Sequence, residues 1–171
     1  MRKQIGGTSM VGDKLINLFY MSATDDKMVM LIDELGLEQP VMDEDYNFYK
    51  EASTSDNNNV GVDLTFYDLK ECNETGNPCL DKISWNHDNI ISLPFKLKLG
   101  FTYAECLATL KKPADFQDKR NSTSKAWIIE NKYIISIHFK DKSLNKIRSA
   151  VVLAYRESDS ELLYGYISNK N

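Results

Sequence analysis

Val62-Asp63-Leu64-Thr65-Phe66-Tyr67-Asp68 and, later in the chain, Ile135-Ser136-Ile137-His138-Phe139-Lys140-Asp141 carry the same alternation and end on the same aspartate. Successive side chains of a strand point to opposite faces. Val62, Leu64 and Phe66 therefore share one face, and Ile135, Ile137 and Phe139 share the equivalent face of the second strand. The intervening positions are polar or aromatic, the signature of strands with one face buried and one open. The alternation predicts strands over Val60–Tyr67 and Tyr133–Lys140.

Working outward, each strand has the same surroundings. Upstream of the first, Met28, Leu31, Ile32 and Leu35 mark one face of a helix, with Thr24 placed as its cap, Asp25 and Asp26 in the first turn and Gly36 at the end. Upstream of the second, Tyr103, Cys106, Leu107 and Leu110 repeat that spacing. Thr102 and Glu105 have the capping-box separation, and Lys111-Lys112-Pro113 closes the helix. A short strand precedes each alternating strand: Tyr46–Tyr49 before the polar turn at Ser53–Asn59, and Ala126–Ile129 before the turn at Asn131-Lys132. A further strand follows each: Lys82–Trp85 with Ile90–Leu93, and Ile147–Tyr155. The order helix, strand, strand, strand thus occurs twice. It predicts an α+β fold of two tandem helix-plus-antiparallel-strand repeats, with the helices on one face of the sheets. Residues 1–14 form an N-terminal extension, 15–93 the first repeat and 94–171 the second, together one compact unit. The connection Leu93-Pro94-Phe95-Lys96-Leu97-Lys98-Leu99-Gly100 alternates and is expected to run extended along the junction, with Pro94 barring a central strand.

Composition sets outer bounds. With 42% hydrophobic residues, nine Tyr and seven Phe among 171 residues, the chain can build a core. No stretch reaches the roughly 20 apolar residues of a membrane helix. The apolar run Leu15–Met21 behind Arg2, Lys3 and Lys14 is too short and interrupted for a secretory leader, so a soluble cytoplasmic protein is expected. Three cysteines, an odd number, fit reduced thiols, although the spacing of Cys72 and Cys79 leaves their pairing open. Net charge is −4, but residues 1–81 hold 16 acidic and 6 basic residues (−10) and residues 82–171 hold 9 and 15 (+6). Such a division speaks about partners and not about fold.

Chemistry-bearing motifs are scarce. His87 lies in a turn-like stretch and His138 within a strand, neither beside a nucleophile in a recognisable signature. Asp43-Glu44-Asp45, Glu51 and Asp56 lack the calcium-loop pattern, and no phosphate loop or zinc-ligand spacing occurs. The reading is a protein without catalytic residues, metal or cofactor. Lys111, Lys112, Lys119, Arg120 and Lys125 make a basic region, but no nucleic-acid motif accompanies them and the pI is 5.2, so no nucleic-acid or membrane partner is expected. Asn73-Glu74-Thr75 and Asn121-Ser122-Thr123 match glycosylation acceptors, which count only in a secretory pathway. The most promising surface is the sheet face away from the helices, predicted to carry Asp63, Thr65, Tyr67, Ser136, His138, Lys140, Arg148, Val152 and Arg156, a mix suited to binding a protein.

The run Gly61-Val62-Asp63-Leu64-Thr65-Phe66, the segment Leu93-Pro94-Phe95-Lys96-Leu97, the helix opening Gly100-Phe101-Thr102 and the continuation Trp127-Ile128-Ile129 to Ile135–Phe139 resemble small immunity proteins of bacterial toxin–immunity systems. The tandem architecture is also similar to the beta-lactamase inhibitory protein family, whose two repeats form a concave gripping sheet. The resemblance covers roughly residues 15–156 and is one of pattern. It implies a non-enzymatic inhibitor that binds a cognate toxin domain and occludes its active site or substrate surface. A nuclease toxin would be basic, which points to Asp43, Glu44 and Asp45 of the acidic half, with the open sheet face, as the docking side. The alternative is a small ligand-binding protein or enzyme with a pocket between the sheets near His138 and Glu130. The oligomeric state is not encoded in any motif.

Overall fold

Alternating strands with one apolar face must pair and cover that face, and they do so in a single sheet. The computed structural model describes residues 12–40, 42–43, 48–49, 61–67, 78–86, 92–155 and 166–168. In chain order the elements are α1 (Gly12–Ile16), α2 (Asp26–Leu35), β1 (Met42–Asp43), β2 (Phe48–Tyr49), β3 (Val62–Tyr67), β4 (Cys79–Trp85), α3 (Tyr103–Leu110), β5 (Phe116–Asp118), β6 (Ser124–Ile129), β7 (Tyr133–Phe139), β8 (Ile147–Ala154) and β9 (Tyr166–Ser168). The nine strands form one sheet in the order β1-β2-β3-β4-β8-β7-β6-β5-β9, and every neighbouring pair is antiparallel. The protein is therefore mixed α+β and mostly sheet. Among the described residues no helix is long and apolar enough to cross a membrane.

The two alternating stretches occupy corresponding places. β3 pairs with β4 on one side, β7 pairs with β8 on the other, and β4 and β8 meet at the seam. The register there is symmetric. Aligning Val62 and Leu64 with Ile135 and Ile137 makes Trp85 equivalent to Val152 and Ile83 equivalent to Ala150, because Val62 faces Trp85 as Ile135 faces Val152. The seam pairs are Ile83 with Val152 and Trp85 with Ala150, so each is the image of the other. A local two-fold axis passes through the pair Ser84–Val151.

Cross-strand partners share a face, which assigns Val62, Leu64, Phe66, Ile83, Trp85, Trp127, Ile135, Ile137, Ala150 and Val152 to one core side; all are fully buried. Val152 is thus a core residue, not an open-face residue as the bare alternation of β8 suggested, because its neighbours across the sheet are Ile83 and Ile135. Met28, Leu31 and Ile32 of α2 and Cys106 of α3 belong to the same cluster. Tyr103 of α3 lays its ring 6.0 Å from both Trp127 and Phe139.

Local chemistry explains the helix ends. Asp25, not Thr24, caps α2: its carboxylate accepts the Lys27 amide at 2.9 Å. Gly36 ends the helix at φ 68°, a conformation only glycine adopts without strain. At α3 the expected capping box is present, with the Glu105 amide donating to the Thr102 hydroxyl at 3.2 Å and the Thr102 amide to the Glu105 carboxylate at 2.7 Å. The Thr102 amide first, and then the Thr102 hydroxyl donating to the same carboxylate oxygen at 2.9 Å, hold the Glu105 carboxyl below its ordinary value.

Other expectations need correction. The connection after Leu93 is not extended: Phe95 and Lys96 are both left-handed, at φ 59° and 60°, and turn the chain so that Leu93 and Leu97 enter the core. α1 was not foreseen and crosses the expected boundary at residue 14, with Gly12, Leu15 and Ile16 buried. It docks on that turn. A Cβ at Gly12 would lie 2.5 Å from Pro94 N, 2.7 Å from the Leu93 carbonyl carbon and closer still to the Ser92 oxygen, so only glycine fits. The Phe95 amide donates to the Asp13 carboxylate at 2.7 Å. Cys79 is disulfide-bonded, so the expectation of reduced thiols fails there; Cys72 lies outside the described residues, and Cys106 is a buried free thiol.

Candidate functional site

The face opposite the core is built from the alternate positions of the same strands. β3 contributes Asp63, Thr65 and Tyr67, β4 contributes Lys82 and Ser84, β8 contributes Ser149, Val151 and Leu153, and β7 contributes Ile134, Ser136 and His138. Asp63, Tyr67, Lys82, Ser84, Val151 and Leu153 are half-buried and reach the surface. Thr65 and Ser136 are only 2% and 6% exposed and are not presented to a partner. Asp63 accepts a hydrogen bond from the side-chain Nδ2 of Asn86 at 3.2 Å. The resulting surface mixes aliphatic, hydroxyl, aromatic and charged groups along the seam between the halves.

Of the other predicted residues, Asp43 lies in β1, where it pairs with Phe48; its side chain, like all of Glu44, Asp45 and Arg156, lies outside the described residues. His138, Lys140 and Arg148 lie at one end of the face, where the Arg148 charge acts on the His138 ring. His138 pairs with Ser124 of β6 on one side and Ser149 of β8 on the other. Lys140 follows β7 directly, and its amide donates to the Lys146 carbonyl at 2.8 Å. Arg148 sits where the β7–β8 register shifts, and it is exposed.

His138 is half-buried, and its Nδ1 lies 2.7 Å from the Ser124 hydroxyl. Ser124 is fully buried. The hydroxyl therefore serves to fix the ring and is inaccessible as a nucleophile. Burial first, and the Arg148 charge besides, push the His138 pKa below its ordinary value, while Asp118 pulls the other way. The buried free thiol is equally quiet: burial above all, then the Glu105 charge, pushes the Cys106 pKa up to about 12.

The Ser124–His138 contact was not anticipated. A two-residue turn at Asn131-Lys132 would have set Lys125 opposite His138. The loop is instead three residues long, with Glu130 and Asn131 both left-handed, and it sets Ser124 there. Counting outward from the correct loop length would have found the pair.

Glu130 and His138 lie at opposite ends of β7, so they cannot line one pocket. Beside the Glu130 end is an open groove of about 260 Å³ between α1 and the β6–β7 loop, walled by Phe19, Tyr20, Tyr133 and Tyr155 and rimmed by Asn17 and Asn131. Tyr133 stacks obliquely between Phe19, at 6.0 Å, and Phe95, at 5.8 Å. Its hydroxyl is held above its ordinary pKa, first by burial and then by Glu130. No family model matches the chain, and no curated protein or solved structure matches it either.

Proposed function

We propose that this chain is a non-enzymatic immunity protein that binds a cognate bacterial toxin and neutralises it by covering the active site or substrate surface. The observation that best supports the reading is the single antiparallel sheet running through both halves, whose open face carries half-buried aliphatic, aromatic and polar side chains across the seam. Such a mix suits the centre of a protein interface, where aromatic and aliphatic anchors are framed by polar groups. The symmetric register at the seam supports duplication of one helix-and-strand unit, and the shared core supports both helices lying on the face away from the partner.

The toxin in this reading presents a basic surface, as a nuclease would. The −10 half, with Asp43, Glu44 and Asp45, steers it toward the sheet. Nucleic acid and membrane are not partners in this scheme. A cytoplasmic location would suit neutralisation inside the producing cell, but the disulfide at Cys79 favours an oxidising compartment. Trapping free thiols in intact cells decides between the two.

Co-expression with the product of the adjacent gene tests the whole reading. Rescue of growth together with co-purification of a stoichiometric complex is the expected result. Absence of both sinks the immunity role, and an unchanged complex after charge reversal at Asp43, Glu44 and Asp45 removes the acidic steering.

A further inference from the structure

The second half carries a charged end that the acidic-steering scheme does not use. Lys119, Arg120, Lys140, Lys142, Lys146 and Arg148 are all exposed. The five lysines and arginines before Arg148 occupy the β5–β6 and β7–β8 loops, which are joined by the Phe139 amide donating to the Thr123 carbonyl at 2.9 Å, and Arg148 lies at the start of β8. The two acids among them each have one carboxylate oxygen engaged by their own loop. Asp118 accepts the amides of Arg120 and Asn121 at 2.7 and 3.1 Å, and Asp141 accepts the amide and hydroxyl of Ser143. Among the described residues, Arg120, Lys140, Lys142, Lys146 and Arg148 form no ion pair. His138 stands at the edge of this patch with Nδ1 taken by the buried Ser124, which leaves Nε2 as the ring atom able to meet a ligand.

We propose that His138, Lys140 and Arg148 form a carboxylate-recognition site, and that an acidic segment of a protein partner occupies it. An imidazole anchored through one nitrogen, a guanidinium and an ammonium are the donors that bind carboxylates in charge-assisted hydrogen bonds. Protonated His138 would donate through Nδ1 to Ser124 and through Nε2 to the ligand, so binding takes up a proton. The groups facing the ring are Asp118 from β5, Ser124 from β6, and Arg148 and Ser149 from β8; an incoming carboxylate offsets the Arg148 charge that disfavours protonation. A protein segment fits better than a nucleic acid. A long polyanion would run into the field of the −10 half, and the loops 119–123 and 140–146 contain no aromatic ring on which a base could stack.

This site rests on the binding-protein reading only for the identity of its natural partner, and its test does not need the toxin. Uniformly labelled full-length chain is titrated by NMR with a synthetic Glu-rich octapeptide and, separately, with an eight-nucleotide single strand, at pH 7.5 and 5.5. Saturable shifts confined to His138, Lys140, Arg148 and their loop neighbours are expected with the peptide. Binding should be at least fivefold tighter at pH 5.5. Arg148→Gln, at an exposed position, should weaken it at least fivefold, and His138→Gln should remove the pH dependence while the dispersed spectrum persists. Diffuse shifts, equal or tighter binding of the oligonucleotide, or pH dependence that survives His138→Gln would overturn the proposal. Loss of the toxin complex with peptide binding intact would instead count against the immunity reading alone.

Discussion

The two halves solve the same packing problem with different thoroughness. Each places a tryptophan fully inside the core, Trp85 on β4 and Trp127 on β6. The indole N–H of Trp127 donates to the Lys112 carbonyl at 3.3 Å, whereas that of Trp85, against the seam, has no hydrogen-bond partner among the described residues. The caps differ likewise. α3 opens with a reciprocal box in which two backbone amides are satisfied, and α2 opens with a single Asp25 bond. The second half is the more completely hydrogen-bonded at these points, and the first tolerates a buried donor that costs free energy.

The largest effect tests whether the alternating strands are equivalent in energy as in register. Phe66→Ala and Phe139→Ala should each cost about 3–5 kcal/mol in chemical denaturation, since both rings fill the core side. A difference of several kcal/mol between them would break the equivalence. Next come the tryptophans. Both Trp→Phe changes lose similar volume, but only Trp85→Phe removes an unsatisfied donor, so it should be less destabilising than Trp127→Phe by about 1–3 kcal/mol. Equal losses would mean that the Trp85 N–H finds a partner in solution. Smaller again, Thr102→Ala should cost about 1 kcal/mol and Asp25→Ala rather less, read as shifts in the denaturation midpoint.

The smallest effect is a pH dependence confined to the second half. His138 has a folded-state pKa below 6.5, so the folded protein resists its protonation more than the unfolded chain does. Its contribution to stability is complete above pH 6.5 and is lost as pH falls from there through the folded-state value. Denaturation midpoints from pH 8 to 5 should decline in that window, and His138→Gln should flatten this part of the curve. An identical decline in the variant would assign it to other groups.

What could be read in advance follows physical range. Periodicity found α2, α3 and the long strands because it is a local property of each segment. It missed α1, whose five residues are held by a close backbone approach and a bond to Phe95 far along the chain. The faces of β3 and β7 were legible, but that of β8 was not, because its pairing with β4 and the register shift beside Arg148 decide which side Val152 faces. The candidate site was legible in part. Alternation and charge single out His138, Lys140 and Arg148, which lie at one end of the sheet face. The same grounds single out Thr65, which is buried. Ser124 escaped because a one-residue difference in loop length changes its cross-strand partner.

The docking of Gly12 and Asp13 on the Ser92–Phe95 turn also has a consequence for synthesis. The bond between Asp13 and Phe95 spans 82 residues, and the seam strand β8 emerges later still. A nascent chain can form α2 and the β3–β4 hairpin early. It cannot close its N-terminal clamp until Phe95 has left the ribosome, nor cover the free edge of β4 until β8 follows. During that interval the Ile83–Trp85 edge is open to the wrong strand. Slowing translation once Leu97 has emerged, while β8 is still inside the ribosome, should therefore raise aggregation of this protein more than slowing it after Ala154 has emerged.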